Sequence, residues 1–262
     1  MPRVSVLMPH FGCEAYVAEA VASVLAQDLR DLELHVVDDA SADDRWLQAL
    51  APWRADPRLV LWRSTANVGP YRLKNALLER CNGAYVAFHD ADDRSARRRL
   101  SRQVEYLERG HLDIVGSWVR YINEDGTFVR FGPMVHNVNL WRRLGLRTVV
   151  KHATCLVKRE VFTLLCGFDG TARVSADDDF IFRAAHVCKI RNIRALLYDV
   201  RLCSTSLTRA PATGLRSEMR RNYDAQVRQR ERARSAMRNR DDLLRSLIPP
   251  ASDVAFDLQR VD

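Results

Sequence analysis

The sequence predicts an α/β protein with a mainly parallel central sheet. Over the first 116 of its 262 residues, apolar strand patterns alternate with helix patterns, and the connections between them are short. This alternation implies parallel strands joined by right-handed helical crossovers. Three of the predicted strands end in polar residues, and ligands of such sheets bind beyond the carboxyl ends of the strands. The length fits one large domain, or one domain with a helical appendage.

The elements of this first part follow from residue type and spacing. The first strand is a short apolar run rich in β-branched residues, and the first helix is alanine-rich with valines at helical spacing. Ser41 is expected to cap the second helix. The predicted strands are residues 4–8, 32–37, 59–62, 84–88 and 113–116. The predicted helices are residues 14–27, 41–50, 70–80 and a basic stretch before residue 113.

The pattern changes after residue 116. Two short β patterns flank the turn Asn123-Glu124-Asp125-Gly126, which predicts a small hairpin. Residues 216–247 predict one long polar helix or a helical pair, and from Arg209 to Arg245 eleven arginines stand against five acidic residues. The remaining predictions are hairpin strands at 118–122 and 127–131, an irregular stretch at 132–151, and helices at 158–165 and 177–187.

Composition narrows the class of protein without naming a partner. The formal net charge is +8, and only four of the 41 basic residues are lysines. Such a surface favours anionic partners, whether nucleotides, nucleic acid or acidic lipid. The six cysteines form no Cys-x-x-Cys pair, so neither a zinc site nor a disulfide framework is indicated. The N-terminal residues do not resemble a signal peptide, and no apolar run reaches about 18 residues, which predicts a cytoplasmic protein.

Five aspartates follow the second and fourth predicted strands. They are Asp38, Asp39, Asp90, Asp92 and Asp93. Like charges gathered at one sheet edge raise one another's pKa and destabilise the fold unless a cation relieves them. Mg²⁺ or Mn²⁺ prefers carboxylate and diphosphate oxygens, so the pattern predicts a metal–diphosphate site. Solvated turn and cap residues are the alternative, since aspartate also favours those places.

The order of these motifs resembles the inverting glycosyltransferases of family 2, which have the GT-A fold. Residues 4–11 resemble the family's opening strand and the turn that touches the nucleotide base, and Asp90-Ala91-Asp92 matches its Asp-x-Asp motif. Further similar segments are 36–41, 67–69 with 74–75, 167–169 and 177–183, so the resemblance spans residues 4–183.

The resemblance implies a Rossmann-like GT-A fold with a small β-hairpin insertion and a C-terminal helical extension. The expected division is a glycosyltransferase domain at 1–208, with a nucleotide-binding half at 1–116 and an acceptor-binding half at 117–208. An Arg-rich helical extension at 209–262 would follow. By this resemblance the donor is a nucleotide-sugar, with UDP as the family default, and the acceptor is a glycan or a lipid-linked saccharide.

The resemblance also assigns roles to individual residues. Asp177 would be the catalytic base, with Asp178 or Asp179 as alternatives, and a helix N-terminal aspartate is the purely structural reading. Asp92 and Asp90 would hold Mn²⁺ or Mg²⁺. The residues expected to contact the donor are Pro9, His10, Phe11, Asp39, Asn67, Lys74 and Asp90.

Three positions depart from the family pattern. Ala176 stands where glutamate usually precedes the base, Cys203 replaces a late histidine, and Lys74 replaces arginine. Lysine keeps the charge at that position but loses the bidentate fork. These departures leave an inactive family member open as an alternative. His152 is a candidate on the acceptor side, although a lone histidine is more often structural, and Trp118, Trp141 and Tyr121 are candidates for stacking on a sugar, although aromatics are more often core.

Two other functional classes fit parts of the sequence. A nucleotidyltransferase would carry a glycine-rich basic loop after the first strand, which residues 9–14 are not. A non-catalytic nucleic-acid-binding protein fits the charge, but clustered aspartates repel phosphates, so no nucleic acid is expected. The Arg-rich tail has three readings: a solvated helical face, a contact with the cytoplasmic membrane surface, or a homodimer contact.

Overall fold

The computed structural model describes residues 2–146, 149–204 and 206–261. Within these residues, helices cover both faces of one mixed sheet. The strands are β1 (Val4–His10), β2 (Leu32–Asp38), β3 (Leu59–Ser64), β4 (Tyr85–Phe88), β5 (Arg94–Ser95), β6 (Ile114–Ile122), β7 (Phe128–Gly132), β8 (Leu156–Lys158), β9 (Ile190–Arg201) and β10 (Leu258–Val261). The helices are α1 (Val17–Leu25), α2 (Arg45–Leu50), α3 (Pro70–Leu78), α4 (Arg99–Arg109), α5 (Val138–Arg143), α6 (Arg159–Leu165), α7 (Ala176–Ala185), α8 (Glu218–Ala236) and α9 (Arg240–Ser246).

The sheet is built from two parallel groups of strands. Its order is β10-β3-β2-β1-β4-β8-β6-β9-β5, and β7 pairs with β6. Strands β3, β2, β1 and β4 run parallel, as do β6 and β9, while the short β8 is antiparallel to both β4 and β6 and joins the groups. The predicted α/β class with a mainly parallel sheet is therefore confirmed.

Strand periodicity distributes the core over both faces of the sheet. Leu7 of β1 packs in the cluster formed with α3, α6 and α7, whereas its neighbours Val6 and Met8 pack in the cluster formed with α1, α2 and α4. Successive side chains of a strand point to opposite faces, so a sheet covered on both faces needs continuous apolar strands. This is why the first strands could be recognised from short apolar runs.

Several predicted elements need correction. Ser41 does not cap α2, because its hydroxyl and amide both donate to the Asp38 carboxylate at 2.5 and 3.0 Å, and α2 begins at Arg45. The predicted strands 113–116 and 118–122 are one strand, β6, whose pairing with β9 shifts register at Ser117 and Trp118. The stretch at 132–151 contains α5, capped by the Asn137 side chain, which accepts from the Leu140 amide at 3.1 Å.

The C-terminal segment is a helical pair followed by a strand. Helices α8 and α9 occupy most of the predicted helical stretch, and β10 then pairs antiparallel with β3 at the sheet edge. The sequence patterns did not predict β9 or β10. Among the described residues, no helix is both long and apolar enough to cross a membrane.

A buried ion pair on α7 joins the C-terminal segment to the domain. Arg183 is fully buried, and its guanidinium donates to Asp179 at 2.7 Å. The same guanidinium donates to the carbonyls of Leu165, Gly167 and Leu247 at 2.8, 2.8 and 3.1 Å. One side chain thus links α7 to the loop after α6 and to the residue after α9.

The Asp179→Ala substitution should therefore destabilise the protein strongly. It would leave the Arg183 charge buried without its counter-ion, which costs roughly 3–5 kcal/mol in comparable cases. Urea unfolding measures the loss. Glu105→Ala is a matched control, since Glu105 and Arg109 form the same i,i+4 pair with side chains 53% and 80% exposed. That pair should contribute less than about 1 kcal/mol, and equal losses for the two variants would contradict the prediction.

Candidate active site

The carboxyl ends of β1, β2 and β4 meet at one edge of the sheet. His10 lies beside Asp38 in the β1–β2 register, and Asp90 follows β4 by two residues. His10 is buried and burial lowers its pKa, whereas Phe11 is 57% exposed at the rim. The parallel sheet thus brings the predicted donor-side residues to a common edge, as strand direction requires.

Asp39, the residue directly after β2, holds the loop that precedes α3. Asp39 accepts from the amides of Val68 and Gly69 at 2.7 and 2.9 Å, and the Asn67 side chain donates to the Asp39 carbonyl at 3.0 Å. Burial raises the pKa of Asp39 despite these two hydrogen bonds. Gly69 has a φ of 88°, a conformation that only glycine adopts without strain. Asp39 and Asn67, both predicted to contact the donor, therefore lie together.

The acidic turn after β4 divides into buried and partly exposed carboxylates. Asp93 is buried and accepts from the Arg201 amide at 2.7 Å. Asp90 and Asp92 are partly exposed. Burial and then the neighbouring Asp90 raise the pKa of Asp92 to about 6, although the Cys203 thiol donates a hydrogen bond to it. Cys203, which by the resemblance stands where a late histidine is usual, is thus in contact with the turn.

Two buried arginines fix this turn through hydrogen bonds to a backbone carbonyl of the turn and to one of the preceding strand. Arg201 donates to the Asp92 carbonyl at 2.8 Å, to the Glu124 carbonyl in the hairpin turn at 2.7 Å, and pairs with Glu19 of α1. Arg99 donates to the Phe88 carbonyl at 2.8 Å and lies over the Tyr198 ring at 4.8 Å. The sequence reading missed Arg99. The only sequence feature that could have identified Arg99 is its position on the apolar face of a basic helix, four residues before Gln103, which is also buried.

Asp177 lies in the first turn of α7. It accepts from the Tyr71 hydroxyl at 2.6 Å. Burial favours a raised pKa, but His152, the Tyr71 hydrogen bond, Lys74 and Lys151 outweigh it, so the pKa of Asp177 lies below its usual value. Asp179, one of the alternatives for the base, is buried against Arg183 instead. Tyr71 was missed because an aromatic on a helix more often belongs to the core.

Two lysines are close enough to be influenced by both Asp90 of the acidic turn and Asp177. Lys74 of α3 is buried, with its ammonium 5.3 Å from the Phe88 ring centre and 5.6 Å from that of Tyr71. Burial lowers the pKa of Lys74, and Asp90 and Asp177 oppose that shift. Burial also acts to lower the pKa of Lys151, but Asp90, Tyr121, Asp93 and Asp177 raise it above its usual value. Lys151 had no sequence motif of its own.

His152 is enclosed by aromatic rings. It stacks on Phe88 at 4.2 Å and meets Phe168 edge-on at 5.4 Å, and its Nε2 has no hydrogen-bond partner among residues 2–146, 149–204 and 206–261. Burial, followed by the charge of Lys74, lowers its pKa to about 3, so the ring is neutral at physiological pH.

The candidate stacking aromatics have other contacts. Trp118 donates to the Met134 carbonyl at 2.9 Å, and Arg130 lies 3.7 Å over the Tyr121 ring. Trp141 is 43% exposed on α5.

The donor set of the acidic turn fits a metal that is shared with a ligand. Among the described residues, no three His, Cys, Asp or Glu side chains are grouped as a complete protein metal site. Mg²⁺ in diphosphate sites commonly takes one or two carboxylates and completes its shell with phosphate oxygens and water. Asp90 and Asp92, both partly exposed in the acidic turn, can supply those carboxylates.

A separate cavity lies away from these carboxylates. It has a volume of about 510 Å³ between α3 and the segment that precedes β10, with Arg72, Phe168 and Phe256 among its lining residues. None of the residues of the acidic turn lines it.

Comparison with known proteins agrees with the fold and the motif order. The sequence model of a family described as "Glycosyl transferase family 2" matches residues 5–164. EpsE of Bacillus subtilis (strain 168), named as a glycosyltransferase, is 31% identical over 181 residues, which cover 68% of this chain and 64% of EpsE. The O-antigen biosynthesis glycosyltransferase WbnJ of Escherichia coli is 26% identical, over 74% of this chain and 75% of WbnJ.

Two solved structures share the fold. Residues 1–349 of S. aureus TarS, in complex with UDP, superpose with a TM-score of 0.65 at 22% identity, over 78% of this chain and 61% of that one. The mannosyltransferase PcManGT from Pyrobaculum calidifontis, in complex with GDP-Man and Mn²⁺, also has a TM-score of 0.65, at 20% identity, over 94% of this chain and 68% of that one. The match spans less than two thirds of the length of both TarS residues 1–349 and EpsE.

The buried neutral His152 should make the free energy of unfolding depend on pH in the acid range. An unfolded histidine titrates near pH 6.5, so below that pH the unfolded chain binds one proton more than the native protein, and stability falls as the pH falls toward 3. His152→Phe keeps the stack on Phe88 and removes this term. Its free energy of unfolding should therefore decline less steeply than that of the wild type, by about 1.4 kcal/mol per pH unit below pH 6.5.

Urea unfolding at pH 7.0, 6.0 and 5.0 measures this difference. His111→Asn is the matched control, because His111 is exposed and its φ of 45° suits asparagine. The control should keep the wild-type slope, and a His152→Phe slope equal to that of the wild type would show that His152 is not held neutral.

Proposed function

The chain belongs to glycosyl transferase family 2, and from that premise we propose that it is an inverting enzyme using a UDP-sugar. In this proposal it transfers the sugar to a hydroxyl of a glycan or lipid-linked saccharide. Asp92 and Asp90 hold Mn²⁺ or Mg²⁺ against the donor diphosphate, and Asp177 is the general base. Pro9, His10, Phe11, Asp39 and Asn67 form the nucleotide side.

The observation that carries this proposal is the place of the buried Lys74. Its ammonium lies 5.6 Å from the ring of Tyr71, whose hydroxyl donates to Asp177, and 5.3 Å from the ring of Phe88, two residues before Asp90. Asp90 of the acidic turn and Asp177 of α7 act on the same two ammonium groups, those of Lys74 and Lys151. Charges that influence one another through a buried environment lie in one cleft, since solvent screens more distant pairs. An inverting transfer requires a carboxylate that takes the proton of the acceptor hydroxyl and positive charge beside the departing diphosphate, and these groups supply both.

The residues at the base suit proton removal at neutral pH. The pKa of Asp177 lies below its usual value, so the carboxylate is ionised and ready to accept a proton from a hydroxyl. Tyr71 donates to one carboxylate oxygen, Oδ1, which orients the group and directs the other oxygen toward the acceptor. The bound metal would neutralise charge that develops on the departing diphosphate. Lys74 and Lys151 supply further positive charge beside that position.

The donor proposal takes further support from the structural relatives. TarS residues 1–349 were solved in complex with UDP and with UDP-GlcNAc, and PcManGT in complex with GDP-Man and Mn²⁺. Nucleotide-sugars with different bases are thus bound on this fold, and a divalent ion accompanies one of them. The choice of UDP for this chain rests on the family default.

Location at the cytoplasmic membrane surface is a further part of the proposal. Several arginines on α8 and the turn after it face solvent, and each can contribute about 1 kcal/mol near an anionic lipid surface. These exposed arginines are Arg221, Arg228, Arg232 and Arg238. A homodimer through the same extension stays a prediction.

Nucleotide binding should depend on metal and on Asp92. Thermal unfolding is followed with UDP, GDP, dTDP or CDP, each with and without Mn²⁺. A ligand at 100 times its Kd adds about 2.7 kcal/mol, which raises the Tm by roughly 5–10 °C for a chain of this size. We expect this shift with UDP and Mn²⁺ together, and its loss in Asp92→Ala. Asp241→Ala, an exposed aspartate on α9, is the control and should behave as the wild type.

No shift with any nucleotide would contradict the donor site itself. A shift that survives in Asp92→Ala would remove this residue from the metal site while leaving nucleotide binding in place.

Asp177→Asn should separate binding from chemistry. The amide keeps the size of the side chain but cannot take a proton, so the UDP and Mn²⁺ stabilisation should persist. Release of UDP from a UDP-sugar, with water as acceptor, should fall by about 100-fold or more, the usual range for a general base. Unchanged UDP release would show that Asp177 is not the base.

A further inference from the structure

One face of α8 consists largely of arginine and packs on the domain. Arg220, Tyr223, Val227, Arg230 and Arg234 recur at intervals of three or four residues, which places them on the same side of the helix. Tyr223, Val227 and Arg234 are buried. The arginines of this face, Arg220, Arg230 and Arg234, therefore point toward the domain, unlike the exposed arginines of the same helix.

The lower part of this face holds structural carboxylates. Arg230 and the Tyr223 hydroxyl both donate to Asp169 at 3.0 Å. Arg230 and Arg234 also lie 3.9 and 3.8 Å from Asp179 of α7. Asp179 is the partner of the buried Arg183, so α8 contributes to the same charge network that anchors α7.

The upper part of the face reaches the residue at the start of α7. Arg220 donates to the Ser175 hydroxyl at 2.9 Å and to the Thr213 carbonyl at 3.1 Å. Ser175 is buried and has a φ of 58°, which costs a non-glycine residue about 1–2 kcal/mol. Such a conformation persists only where surrounding contacts fix it. The Arg220 hydrogen bond is one such contact, two residues before Asp177.

The charge of Arg220 also acts on the hydroxyl that binds Asp177. Burial and Asp177 itself raise the pKa of Tyr71 well above its usual value, and Arg220 opposes this rise. Arg220 therefore lies close to both supports of the Asp177 carboxylate: the backbone turn at Ser175 and the side chain of Tyr71.

We propose that Arg220 is a positioning residue for Asp177, and that the Arg-rich C-terminal extension thereby forms part of the active site. The inference rests on the proposed role of Asp177 as base. Through the Ser175 hydroxyl, Arg220 fixes the left-handed turn from which α7 starts, and so the direction in which the Asp177 side chain points. The donor and metal residues of the proposal, Asp90 and Asp92 among them, are not hydrogen-bond partners of the Arg220 side chain, whose bonds go to Ser175 and Thr213, so nucleotide binding should not depend on it.

The test uses the full chain with four variants: Arg220→Ala, Arg220→Lys, Ser175→Ala and the double variant Arg220→Ala/Ser175→Ala. Release of UDP from a UDP-sugar in Mn²⁺, with water as acceptor, gives kcat and the donor KM. Thermal stabilisation by UDP and Mn²⁺ reports the donor site separately. Arg228→Ala is the matched control, because Arg228 is exposed on the same helix.

We expect kcat of Arg220→Ala to fall about 10- to 100-fold, the effect of displacing a catalytic group by about 1 Å. Its donor KM and UDP stabilisation should remain within about twofold, because the donor site is untouched. Ser175→Ala should show the same split, and the double variant should be no slower than the slower single variant, since both changes remove one hydrogen bond. Arg220→Lys keeps the charge without the fork and carries the test if Arg220→Ala does not fold.

Three results would overturn the inference. These are a kcat for the Arg220 variants within twofold of the wild type, a parallel loss of kcat and UDP stabilisation, or independent effects of the two positions in the double variant. The proposed function fails separately, by wild-type UDP release in Asp177→Asn. In that case Asp177 is not the base, and Arg220 has no base to position. If Asp177→Asn is inactive while Arg220→Ala is fully active, the proposed function stands and only the role of Arg220 is removed.

Discussion

The structure depends on how it compensates carboxylates crowded at the carboxyl edge of a parallel sheet. Each buried aspartate there has an internal partner that offsets its desolvation. Asp38 accepts from Ser41, Asp39 from two loop amides, and Asp93 from the Arg201 amide. The same hydrogen bonds fix the loops after the strands. The hydrogen bonds that stabilise the buried carboxylates therefore also determine the shape of the cleft. The carboxylates that stay partly exposed there are Asp90, Asp92 and Asp177.

The cations of the site are arranged by the same requirement. Lys74 is buried among aromatic rings, where a charge is stable only if opposite charges are close. Asp90 and Asp177 supply those charges, and both also act on the second ammonium group, that of Lys151. The shortage of lysine elsewhere in the chain makes this pair notable, since an ammonium is a compact point charge that fits between rings. Removal of either acidic group would leave the lysines under-compensated.

Strands with simple apolar patterns could be predicted from sequence, and those with mixed patterns could not. Strand β1 is buried on both faces and shows as an apolar run. Strand β9 carries Arg191 and Arg194, and its pairing with β6 shifts register near Trp118, so neither continuous nor alternating apolarity is present. Strand β10 has four residues and is a strand only because the edge of β3 is available. Long-range pairing determines both, and local patterns do not report it.

The candidate site shows the same division. The Asp-x-Asp turn could be found because its carboxylates directly follow an apolar strand. Tyr71 and Arg220 could not, because each gains its position from a contact made across more than 40 residues. Arg220 also lies in a stretch whose charge favours a solvated face. A helix face lined by arginine is indistinguishable from a solvated face until the opposing carboxylates are known.

By the resemblance, Ala176 stands where glutamate is usual in the family, and its surroundings suit the alanine. Ala176 is fully buried in the apolar cluster beside α7, where a glutamate would need a partner for its charge. Orientation of Asp177 falls instead to the Tyr71 hydroxyl from α3, and on our proposal to the turn held by Arg220. A neutral hydroxyl donor also lowers the pKa of Asp177, whereas a neighbouring carboxylate would raise it. The alanine is thus consistent with an ionised base whose support comes from other elements, and it does not by itself indicate an inactive relative.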